Sequence, residues 1–184
     1  MGTVTMLNRP ARTILLAQME NIKQNFILGL AAVSLFESEA SLPILDQSSC
    51  TIGPYSLDFS QVATTLRNPD DKALLLREFI KYQLRTLVRE SFSTIERYCC
   101  CNGYTARLEK QPWYEYARII DHCLSCNCRF NFCERDIAVL PVCWNDKVLS
   151  IDLQNQPMYL SQFSHSDGWE LFQEMNSFAA GHLF

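Results

Sequence analysis

The stretch from residue 72 to 101 constrains the fold more than any other part of the chain. Leu76, Ile80, Leu84, Leu87, Ile95 and Tyr98 recur at steps of three and four, with Ser91 filling the one gap. That spacing lays a single apolar stripe along one side of an α-helix. Asp70 and Asp71 supply acidic caps after Asn68 and Pro69, and Asn102-Gly103 is a stop signal. Such a helix runs roughly 45 Å at about 1.5 Å per residue. Its stripe needs partners of similar length, so the chain must supply other amphipathic helices.

It does so three times. Over 11–39, Leu15, Met19, Ile22, Phe26, Leu30 and Val33 share one face, and Gly29 either weakens that helix or admits a close neighbour. Over 112–125, Pro112 suits the first helical position, with Trp113, Tyr116, Ile120 and Leu124 facing inward. Over 167–183, Trp169, Phe172, Met175 and Phe178 with Ala179 face one way, with Ser166 or Asp167 as the cap. Between the last two the period changes. Residues 139–142 and 148–151 flank a polar turn at Asn145, Asp146 and Lys147, which reads as a β-hairpin within a region spanning 129–153. The prediction is a mostly α single domain over 1–184: a bundle of four main helices, with a β-hairpin inserted before the last. Residues 1–10 read as a flexible arm. Residues 41–71 read as a loop-rich connection with one short helix near 60–67.

Composition narrows the class. Of 184 residues, 48% are hydrophobic and 20% charged, with a formal net charge of −4, which argues against coating nucleic acid by bulk charge. No apolar run reaches the length of a bilayer span, and the first residues lack the layout of a signal peptide. A cytoplasmic protein without membrane contact is expected. The odd count of nine cysteines, three of them consecutive at Cys99, Cys100 and Cys101, fits reduced thiols better than a disulfide framework. Phosphate loops, nucleophile elbows and zinc-protease motifs are missing from the sequence, and no cofactor is expected.

Three constellations could carry chemistry. Arg77, Lys81, Arg85 and Arg89 recur every four residues on the long helix and form a slanted basic ridge. The ridge is either a solvated face with local ion pairs or a surface for RNA phosphates or an acidic partner. Arg118 and His122 lie four apart, so they share a helix face. A histidine there could move protons on a phosphodiester while the arginine steadies negative charge. His122, Cys123, Cys126, Cys128 and Cys133 together offer enough ligands for a zinc site, since Cys123 and Cys126 have a zinc-type spacing. The alternative is that Cys123, Cys126, Cys128 and Cys133 are packed or semi-exposed thiols, and no metal is the default expectation.

The run from Trp113 through Arg118, Asp121, His122 and Cys126 to Phe132 resembles the signature helix of HEPN-like proteins. The long preceding helix, the hairpin from Leu140 to Leu153 and the last helix from Gly168 to Met175 extend that resemblance over 72–183. The resemblance implies a four- to five-helix bundle, often homodimeric. Many members are metal-independent RNases in prokaryotic defence and toxin–antitoxin systems. The family's catalytic motif is an arginine, four to six intervening residues, and then a histidine. In the matching positions this chain carries Asp121 and Cys126, while Arg118 and His122 sit about one turn earlier and one residue closer together. The resemblance therefore implies a degenerate copy that binds RNA or a protein partner. An active RNase using Arg118 and His122, a zinc-stabilised interaction module and a scaffold subunit using the basic ridge are the alternatives.

Overall fold

A computed structural model describes residues 9–182, with side chains from 12 to 181. The fold is mostly α-helical, with two small two-stranded sheets among the described residues. In chain order the elements are α1 (Arg9–Glu37), α2 (Leu42–Asp46), β1 (Ser49–Ile52), β2 (Tyr55–Asp58), α3 (Ser60–Arg67) and α4 (Pro69–Asn102). Then come α5 (Thr105–Leu108), α6 (Tyr114–Ser125), α7 (Glu134–Ile137), β3 (Val142–Trp144), β4 (Lys147–Leu149) and α8 (His165–Ser177). A π turn over Phe178–His182 follows α8. Among the described residues two compact units form: Asn25–Gln83, and those up to Gln24 together with those from Leu84 on. Both α1 and α4 run through the division.

The unit containing α6 and α8 holds the larger core. The predicted stripe of α4 is buried there at Leu84, Leu87, Ser91, Ile95 and Tyr98, and Val88, Phe92 and Cys99 widen it. Trp113, Tyr116, Ile120 and Leu124 all point inward, as the spacing of α6 requires. Tyr116 meets Trp144 at 5.1 Å and Phe163 at 6.4 Å between ring centroids, and Trp113 meets Phe178 edge-on at 5.8 Å. Trp144 Nε1 donates to Glu174 at 3.0 Å, tying the β3–β4 hairpin to α8. The hairpin turns at Asn145, which adopts a positive φ of 51° that asparagine tolerates well. Within 129–153 the strands occupy only 142–149. Phe130 and Phe132 are buried in extended backbone, where Phe130 exchanges backbone hydrogen bonds with Gln156 and Asn155. The α8 cap is Ser164, earlier than predicted, because Ser164 and Asp167 form a reciprocal capping box.

In the unit spanning Asn25–Gln83, Phe26, Val33, Ala63, Leu66 and Leu76 are buried. Leu30 was expected inward but is exposed. Gly29 takes the inward place, where a Cβ would come within 2.5 Å of the Gln83 side chain. The glycine therefore lets α4 approach α1 closely. Lys72 Nζ donates to the Glu37 carbonyl at 2.8 Å, and Arg67 pairs with Asp46. The region expected to be loop-rich contains α2 and a β1–β2 hairpin besides the expected α3. Cys50 opposes Leu57 and Ile52 opposes Tyr55, so these four share one face of the hairpin. Ser49, Thr51, Ser56 and Asp58 share the other. The apolar face is uncovered: Ile52 is 61% exposed, Tyr55 71% and Leu57 47%. Gly53, at a φ of 57°, makes the turn.

Candidate functional site

Helix α6 places Glu115, Arg118 and His122 on one side by steps of three and four. The short α7 brings a carboxylate to them. Cys133 occupies the N-cap of α7 and Asp136 its third position, so the Asp136 carboxylate reaches back to the Cys133 N–H at 2.9 Å. The same oxygen, Oδ2, lies 3.0 Å from His122 Nδ1, and Oδ1 accepts from Arg118 Nη1 at 2.5 Å. Arg118 Nε also donates to Glu115 at 2.7 Å.

Burial decides how each group behaves. Asp136 is fully buried. Burial alone would push its carboxyl up, but the hydrogen bonds from Cys133, His122 and Arg118 outweigh it and hold the group at about 2. It is thus ionised at neutral pH, so His122 Nδ1 donates to it and Nε2 is the ring nitrogen left for other chemistry. The His122 side chain is 38% exposed, on the rim of the site. The Arg118 side chain is 10% exposed. Burial works against its charge, yet Glu115 and Asp136 more than compensate and raise its pKa. Its Nη2 is buried without an acceptor.

The two predicted catalytic residues are therefore brought together, but in unequal roles. Arg118 is an anchor between two carboxylates, and its charge is already neutralised. His122 is an oriented imidazole, with Nδ1 on the carboxylate and Nε2 left for proton transfer. Asp136 escaped the sequence reading. Its only local signal is the Cys133-to-Asp136 spacing of a capping box, with cysteine where serine or threonine is usual.

The zinc-type cysteines divide into two places, with Cys126 and Cys128 near Cys123 and Cys133 beside His122. Cys123 is buried beside Met158, with its Sγ 3.9 Å from the thioether sulfur, and burial pushes its thiol up to about 12. Cys126 and Cys128 are half-buried near the end of α6. Among the described residues, the ligand atoms that come within 4.8 Å of one another as a group belong to His122, Cys133 and Asp136. Cys133 thus joins the Asp136 cluster and not the other three cysteines.

The basic ridge is partly neutralised. Lys81 and Arg77 share Glu78, at 2.8 and 3.8 Å, in one compact unit. Arg89 meets Asp121 at 3.5 Å in the other, where Arg85 is half-buried. Burial pushes the Asp121 carboxyl up, and Arg89 only partly offsets this. Asp121 is thus a partner of α4. Among the described residues, no single helix is long and apolar enough to cross a membrane. Neither a protein-family model, nor a curated protein, nor a solved structure matches the chain.

Proposed function

We propose that this chain is a HEPN-like helical protein that binds a protein partner and has no arginine–histidine nuclease chemistry. The observation that carries the reading is the β1–β2 hairpin, whose apolar face of Ile52, Tyr55 and Leu57 stands uncovered. A two-stranded hairpin is marginal by itself, and an apolar sheet face open to water is a typical docking surface. Protein is favoured over RNA because Arg77, Lys81 and Arg89 each face a carboxylate and the chain is net acidic. The degenerate character is supported by Arg118, which Glu115 and Asp136 already neutralise. The first partner is a second copy of the chain, as the resemblance implies. That resemblance is also the sole ground for a prokaryotic defence or toxin–antitoxin setting.

The test is light scattering on the wild-type chain and on Ile52→Asp and Tyr55→Asp, with helicity followed by circular dichroism. A wild-type dimer that either variant turns into a monomer of unchanged helicity supports the reading. A wild-type monomer, or a dimer indifferent to both substitutions, overturns it.

A further inference from the structure

We infer that His122, Cys133 and Asp136 form a zinc-type metal site with three protein ligands and one open position. The site rests on its own geometry and not on the proposed partner binding. Imidazole, thiolate and carboxylate are the three ligand types that zinc accepts, and here they converge from α6 and the start of α7. In a tetrahedral zinc shell, donors at roughly 2.0–2.3 Å from the metal lie about 3.3–3.6 Å from one another. His122 Nδ1 and Asp136 Oδ2 are already 3.0 Å apart, and all three ligand atoms lie within 4.8 Å of one another. The remaining contraction falls on Cys133, an exposed residue whose thiol swings about one side-chain torsion.

The surroundings also fit a metal ligand set. Ligating carboxylates are oriented by hydrogen bonds of their own. Asp136 has them from Arg118 Nη1 on one oxygen and from the Cys133 N–H on the other. The charges balance as well. Glu115 offsets Arg118, which leaves the Asp136 carboxylate and a Cys133 thiolate to neutralise a dication. Binding would shift the imidazole proton from Nδ1 to Nε2 and release the thiol proton to solvent, with no change of oxidation state. With three ligands from the chain, the fourth position is open to water, and the metal would fasten the 126–132 connection between α6 and α7.

The experiment is titration of the chelator-treated full chain with Co²⁺ and then Zn²⁺. Expected is one equivalent of Co²⁺ with a near-ultraviolet thiolate-to-cobalt charge-transfer band, displaced by Zn²⁺. The band should vanish in Cys133→Ser, an exposed site where folding is not at stake. It should persist in the double variant Cys126→Ser/Cys128→Ser. The inference is overturned by a chain that takes up no metal, by a band that survives Cys133→Ser, or by a band lost in the Cys126/Cys128 variant.

Discussion

Replacing Asp136 with asparagine should cost the metal-free protein roughly 3 kcal/mol, although the two side chains are nearly the same size and leave no cavity. The carboxylate accepts on both oxygens: Arg118 Nη1 on Oδ1, His122 Nδ1 and the Cys133 N–H on Oδ2. An amide has one acceptor oxygen and one NH₂ group. Whichever way it is turned, a donor faces a donor. At least one charge-assisted hydrogen bond is lost, worth about 1.5–3 kcal/mol. With the NH₂ toward Arg118, that nine-tenths-buried guanidinium keeps only Glu115 and a second of its nitrogens joins Nη2 in lacking an acceptor; with the NH₂ the other way, the Cys133 N–H loses its acceptor. Removing one partner of a buried pair costs about 3–5 kcal/mol, which sets the upper end. For a chain of this size the midpoint of thermal unfolding should fall by roughly 6–12 °C. The pH dependence gives a second readout. Asp136 titrates at about 2 in the fold, against an ordinary 3.8. Its contribution is therefore fully present above about pH 4 and is lost as pH falls through 2, a span worth roughly 2 kcal/mol. The variant should lack that part of the acid limb. Calorimetry in chelator at pH 7 and pH 3 measures both effects. A fall of less than about 1 kcal/mol at pH 7, with an unchanged acid limb, would mean that Asp136 does not anchor Arg118.

Two further predictions follow from packing. Gly168→Ala places a Cβ 2.2 Å from Leu84 Cδ1 and 3.1 Å from its Cγ, so the buried Leu84 side chain must move aside. It should destabilise the fold by about 1–3 kcal/mol in a denaturant titration, and a neutral result would mean that α8 sits farther from Leu84. In brief alkylation of the native protein at pH 8, Cys100, Cys101, Cys133 and Cys143 should react because they are exposed. Cys99 and Cys123 should stay unmodified, since both are buried and burial pushes each thiol up to about 12. Peptide mapping showing early labelling of Cys99 or Cys123 would contradict the packing of α4 and α6.

The sequence was most legible where one face repeats over several turns. The stripes of α4 and α6 could be read because burial there follows the helical period without interruption, from Leu84 to Tyr98 and from Trp113 to Leu124. In α1 the period misleads at one place, because Gly29 packs against Gln83 and turns Leu30 outward. The β1–β2 hairpin was hidden by its own turn. Gly53 and Pro54 read as loop, while the alternation of Cys50, Ile52, Tyr55 and Leu57 extends only two residues to each side. The candidate site was half visible. Arg118 and His122 share a helix face and could be paired by counting. Asp136 lies fourteen residues beyond His122, on a helix of four residues that no periodicity announces. A side chain brought in by tertiary contact across a connecting segment leaves no trace at helical spacing. The same contact reverses the role of Arg118, from a free cation to an anchor.

Arg118 holds Asp136 and is not free to serve a phosphodiester, and metal-free RNA cleavage measures this directly. Single-stranded and structured RNA would be incubated with the chelator-treated wild-type chain, Arg118→Ala and His122→Ala. No cleavage above background is expected from any of the three. Cleavage by the wild-type chain that both substitutions abolish, with helicity intact, would contradict that anchoring role.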